Sequence, residues 1–214
     1  MAVSRDDVLR WLALLAQVFA GNRQKLTDLD LAIGDADHGI NMDRGFSAVA
    51  AEMAAHAPSD LRSVFQSVAA ILIRTVGGAA GPLYGTFFLR AGAACPEKSE
   101  LDSAGMVAVF QAGMEGVQQR GKAAAGDKTM LDALLPALDS MRRALEEGDD
   151  QAAILARGVS AAEAGMRATI PMQARKGRAS YLGARSVGHQ DPGATSSYLL
   201  LKAAAEVWGP RNAP

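Results

Sequence analysis

Cysteine is almost missing: Cys95 is the single one in 214 residues. One thiol cannot form an internal disulfide, so a stapled framework is excluded and the chain suits a reducing compartment. An excess of either charge is also missing. Lys and Arg number 22 against 23 Asp and Glu, a formal net charge of -1, so there is no global basic field to hold nucleic acid or an anionic membrane. Charged residues make up 21% of the chain and hydrophobic ones 49%, which excludes a disordered polyelectrolyte. Long apolar runs are lacking as well. Each is broken by charge or glycine well short of the roughly 18 residues of a spanning helix. The start, Met1-Ala2-Val3-Ser4-Arg5-Asp6-Asp7, has no basic segment followed by an apolar one, so no signal peptide is expected. A cytoplasmic protein with no direct nucleic-acid or membrane partner is the expectation. Period-two alternation and repeats of fixed period are absent too.

What is plentiful is glycine, with 22 residues where average usage gives roughly 15, and alanine, a strong helix former. Ser4 and Asp7 form a capping-box pattern. After it Val8, Leu12, Leu15 and Phe19 recur at helical spacing, and Leu26 resumes the phase. Similar periodicity predicts a second helix carrying Met42 to Met53 and a third from near Ser59. A fourth is opened by Pro82, a fifth runs over 102–119, and a sixth follows Asp127 with a kink or late start at Pro136. A seventh covers 151–169, and an eighth follows Pro192 and ends near Trp208. No Pro/Ser-rich linker divides them. The fold class is therefore all-α: residues 1–214 as one domain, a barrel or bundle of about eight antiparallel up-down helices.

Four connections carry chemistry. Between the first two helices Asp30, Asp35 and Asp37 place three carboxylates within eight residues. Residues i and i+2 of an extended segment point the same way, so Asp35 and Asp37 can converge, and Asp30 on the preceding last turn can complete the set. Hard oxygen ligands at this density suit Mg²⁺ or Ca²⁺. The alternative is an Asp-rich turn with helix caps. His38 and Gly39 lead directly into a helix, whose free N–H groups can hold phosphate. The second connection, Gly77 to Gly85, has little side-chain bulk and lets backbone N–H groups reach phosphate oxygens; tight helix packing is its alternative. The third, from Gly116 to Ala123, nearly fits a P-loop. It fails because Ala123 lacks the hydroxyl for Mg²⁺ and no strand precedes it. Asp127 is expected to cap the sixth helix, and Met130 to pack in the core or on a base. The fourth, Gln173 to Gly193, is long and polar and holds Arg175, Lys176, Arg178 and Arg185. Connections of this length are commonly functional or disordered. Arginine there can pair with a polyphosphate. Asp191-Pro192-Gly193 reads as a turn or N-cap, and His189 as a structural hydrogen-bonder. Connections one, three, five and seven of an up-down bundle share one end, so the four loops can build one phosphoryl-transfer site.

The strings Ile33 to Met42, Gly77 to Phe88, Gly126 to Met130 and Gln173 to Ser196 resemble the L subunits of dihydroxyacetone kinase, over nearly the full chain. The resemblance implies an eight-helix barrel with ADP or ATP and Mg²⁺ at one end. Carried over by motif, Asp30, Asp35 and Asp37 are the expected metal ligands. His38, Gly39, Ile40, Asn41, Ala79, Ala80, Gly121, Met130, Arg178, Asp191, Pro192 and Gly193 are the expected nucleotide contacts, with Arg178 also the catalytic charge stabiliser. Many members carry serine at the position of Ala80, so a hydroxyl contact is lost while the backbone N–H remains. The resemblance also implies a partner K subunit holding dihydroxyacetone on a histidine. The string Gly188 to Thr195 resembles the phosphotransferase-system type, in which bound ADP is rephosphorylated in place by a phosphohistidine M subunit. Alternatives are a subunit of an ATP-dependent kinase for a related ketose such as erythrulose, or a nucleotide-state co-regulator of a transcription regulator. The residues show no general base, which is expected from the partner.

Overall fold

The computed structural model describes residues 2–95 and 100–209. Among them, nine α-helices and one 3₁₀ segment account for nearly all regular structure: α1 (Arg5–Gly21), α2 (Arg23–Ile33), α3 (His38–His56), α4 (Leu61–Thr75), α5 (Ala80–Ala94), α6 (Ser103–Gly121), α7 (Leu131–Glu146), α8 (Gln151–Ala168), the 3₁₀ segment Arg178–Ser186, and α9 (Pro192–Trp208). The capping box forms: the Asp7 N–H donates to Ser4 Oγ, and the Ser4 N–H donates back to Asp7 Oδ2 at 3.0 Å. The predicted first helix is broken at Asn22, and both halves pack along α3. They therefore act as one broken stave, which reconciles nine helices with eight staves. A two-residue strand pair, Val3–Ser4 with Glu100–Leu101, was not expected; two residues are too few to show alternation.

Each stave packs on the next, and α9 returns against α1, so the ring closes. The interior is filled by apolar stripes. Trp11 and Trp208 pack at a tilt of 60° with ring centroids 4.8 Å apart, and Phe88 and Phe110 pack on Trp11. Their indole N–H groups are satisfied, Trp11 by the Leu200 carbonyl and Trp208 by that of Asp7, each at 3.2 Å. Trp11 near the start of α1 and Trp208 at the end of α9 lie at the barrel end opposite the four loops. Aromatic side chains plug that end, and a cavity opens among the loops at the other.

Two local expectations are corrected. Pro136 does not delay the sixth stave, because α7 runs through it from Leu131. The proline leaves the Asp132 carbonyl without its helical donor. Beside that carbonyl α8 passes so closely that a Cβ on Gly165 would lie 2.1 Å from the oxygen. The fourth loop is also not irregular throughout, since its middle is the Arg178–Ser186 3₁₀ segment.

Candidate active site

The loop ends of α2/α3, α4/α5, α6/α7 and α8/α9 surround one cavity of about 400 Å³, within the range of small-molecule sites. Four helix N-termini, those of α3, α5, α7 and α9, face this end and add positive potential. One side of the cavity is apolar, lined by Pro82, Leu83, Val117, Met130 and Leu131. The other carries Asp30, Asp35, Asp37 and Arg178.

The acidic group is assembled by backbone. Asp30, buried on the last turn of α2, accepts the N–H groups of Asp37 at 2.9 Å and His38 at 3.1 Å on Oδ2. The first turn of α3 is thus capped by a carboxylate from the helix before it. Gly34 is required here: a Cβ would lie 2.0 Å from Asp30 Oδ1. Ala36 turns the chain with a φ of 62°, and one oxygen each of Asp30, Asp35 and Asp37 then fall within 4.8 Å of one another. Three anions this close repel one another unless a cation sits among them. The all-oxygen donor set fits Mg²⁺ or Ca²⁺ and not a thiolate-seeking metal. Arg178 Nη2 lies 3.0 Å from Asp35 Oδ2, so the acidic and basic loops meet.

The sequence-predicted residues distribute as follows. His38, Asn41, Ala79, Ala80, Gly121, Met130, Asp191, Pro192 and Gly193 line the cavity with the three carboxylates and Arg178. Gly39 and Ile40 do not. Gly39 is buried against α2, where a Cβ would lie 2.0 Å from the Arg23 carbonyl, and Ile40 points outward, 39% exposed. The contact expected of them can come only from backbone N–H groups in the first turn of α3. Asp127 does not cap the sixth stave. Its carboxylate accepts the Ala124 N–H at 2.8 Å, while Asp132 in the first turn of α7 accepts from Gly126 and Thr129. His189 is exposed and makes no side-chain hydrogen bond among the described residues, so it is not the structural hydrogen-bonder expected. The packing alternative for the glycine loop is partly realised: Gly81 and Gly85 let α5 sit on α4.

Three buried groups under the cavity escaped sequence reasoning. Tyr84 OH lies 2.7 Å from Ser196 Oγ and 3.2 Å from Ser197 Oγ. Ser196 Oγ donates to the Gly193 carbonyl and lies 2.9 Å from His38 Nε2, which is then the donor. Burial lowers the His38 pKa against the opposing pull of Asp30 and Asp37, and raises that of Tyr84 to about 12. Lys128 is buried with its ammonium on the Met172 and Ser186 carbonyls. Asp191 caps α9 through the Ala194 N–H at 2.7 Å, yet burial pushes its pKa up to about 7. A lysine between a glycine turn and a helix start was the available signal for Lys128. Nothing local marks Ser196, whose partners lie far away in the chain.

The DAK2 domain matches residues 32–206. The PEP-dependent dihydroxyacetone kinase, ADP-binding subunit DhaL, of Escherichia coli (strain K12) is 45% identical over 202 residues, 94% of this chain and 96% of the relative. The PTS-dependent counterpart from Lactococcus lactis subsp. lactis (strain IL1403) is 37% identical over 94% of this chain and 97% of its own. The dihydroxyacetone kinase of C. freundii, solved in complex with AMP-PNP and Mg²⁺, superposes with a TM-score of 0.73 at 25% identity. It covers 96% of this chain, which spans only 34% of that longer chain.

Proposed function

The chain belongs to the DAK2-domain family, as an L subunit of the dihydroxyacetone kinase type, and from that premise we propose how its site works. It binds ADP or ATP with Mg²⁺ and hands a phosphoryl group to dihydroxyacetone held on a K subunit. A phosphohistidine M subunit then rephosphorylates the ADP in place. The carrying observation is the cavity's polarity. An apolar wall suited to a base ends at three converging carboxylates and an arginine. Relatives named as ADP-binding, PEP-dependent and PTS-dependent support the same reading.

Asp30, Asp35 and Asp37 would hold the metal, which when bound neutralises charge on phosphate oxygens. Met130, Leu83 and Val117 grip the base. The backbone N–H groups of Ala79 and Ala80 and the start of α3 meet the phosphates. Arg178, paired with Asp35, would stabilise charge developing on the transferred group. The three carboxylates are assigned to the metal and the His38 ring is engaged by Ser196, so the general base is assigned to the K subunit. Closure of the helix ring supports reading residues 1–214 as one domain. No described helix is long and apolar enough to cross a membrane; with the lone cysteine, this supports a cytoplasmic location.

Native mass spectrometry of the purified chain, followed by reconstitution with K and M subunits, tests the proposal. Retained ADP with Mg²⁺ and dihydroxyacetone phosphorylation driven by phosphoenolpyruvate are expected. Rapid nucleotide exchange with ATP-driven turnover overturns recycling in place. Absence of nucleotide binding overturns the reading altogether.

A further inference from the structure

Lys128 is 1% exposed, and a buried ammonium is costly unless it is fully engaged. Its Nζ donates to the Met172 carbonyl at 3.0 Å and to the Ser186 carbonyl. Those carbonyls flank the stretch of the loop that carries Arg178. Its backbone sits at a φ of 63°, a region disfavoured for a residue with a Cβ, so the local fold accepts strain to aim this side chain inward. Its charge is met electrostatically by Asp191.

Other ties are few: the Gly188 N–H donates to the Ile170 carbonyl at 2.8 Å across the base of the loop, and the Arg178–Asp35 pair links its middle to the acidic cluster. The loop's apolar seat is a small separate cluster of Ile33, Ala174 and Ala179, with Leu182 beside it. One backbone bond, from the Arg175 N–H to the Asp127 carbonyl at 3.0 Å, joins it to the segment before α7. Ser186 Oγ closes the base internally, accepting from Ala174 and donating to Gly183. The Arg178 side chain is 67% exposed, so beyond its ion pair with Asp35 its position follows from the path of the loop backbone.

We propose that Lys128 is a positioning residue for phosphoryl transfer: its ammonium clasps both ends of the Met172–Ser186 loop and so holds Arg178 over the acidic cluster. The inference rests on the nucleotide reading above. An Lys128→Asn variant tests it, because asparagine tolerates the left-handed backbone while being too short to reach the carbonyls. Lys128→Gln, which can reach one carbonyl, serves if the first variant does not fold.

Trypsin reads the clasp without any ligand, since Arg175, Lys176 and Arg178 lie in the loop. Cleavage there at least ten-fold faster than in wild type is expected. For Mg-ADP, release at least ten-fold faster is expected, together with a fall in kcat in the reconstituted kinase. In an Arg178→Ala background, Lys128→Asn should add almost nothing to the kcat loss. Unchanged cleavage of the loop, or losses that multiply in the double variant, overturns the proposal. Failure of the wild-type chain to bind Mg-ADP overturns the nucleotide reading instead, and the trypsin result still decides the clasp.

Discussion

Asp191 offers the sharpest test of the buried polar layer, because one atom can be changed with the shape kept. Its carboxyl is 7% exposed, and its pKa rises from 3.8 to about 7, first through desolvation, with Asp132 and Asp30 adding repulsion and the Ala194 N–H and Lys128 opposing. The folded state thus holds a proton that the unfolded chain releases near pH 4. Stability rises with pH only where the unfolded state binds more protons. Here the folded state binds more, so this contribution is fully present below about pH 4 and is lost as pH rises through 7. A rise of about three units at 1.36 kcal/mol each makes the loss about 4 kcal/mol between pH 4 and pH 8. Asp191→Asn keeps an acceptor for the Ala194 N–H and cannot ionise. Urea unfolding of both proteins, in EDTA and without nucleotide, gives ΔG at each pH. Carboxylates not coupled to Asp191 cancel in the difference, which should move by about 4 kcal/mol in favour of the variant as pH rises. Parallel pH profiles would refute the reasoning, showing that Asp191 is ionised or solvated in the folded protein.

The other expectations concern the site and the core. Asp35→Ala or Asp37→Ala should abolish Mg²⁺-dependent nucleotide binding and kinase activity. Calorimetry with and without Mg²⁺ checks this, and intact binding in either variant rejects the metal assignment. Arg178→Ala should lower kcat by roughly 100-fold or more, with a melting temperature close to wild type because the side chain is exposed. Removing the aromatic plug by Trp11→Ala should cost about 3–5 kcal/mol in urea unfolding. The Cys95 thiol, raised to about 11 by burial, should resist a thiol reagent at pH 8 until denaturant is added; rapid labelling of folded protein would contradict that burial.

The fold class was legible because helices write their pattern locally. Apolar residues three and four apart, the Ser4–Asp7 cap and Pro192 in a first turn each depend only on nearby chain. The broken first stave was not, since Leu26 keeps the helical phase across Asn22 and phase carries no record of a break. The carboxylate trio was readable for the same reason as the helices: Asp30, Asp35 and Asp37 lie within eight residues, and one turn suffices to gather them. The sequence also placed the four connections at one end by counting alone. Tertiary structure decided what composition and spacing could not. It packed Gly39 against α2 and left Ile40 facing outward, turned Asp127 onto the Ala124 N–H instead of the start of α7, and buried Lys128, Ser196 and Asp191 at the site. Those outcomes depend on partners 44, 158 and 22 residues distant, and a buried polar group takes whichever partner the packing brings, because leaving it unpaired costs more than any local preference returns.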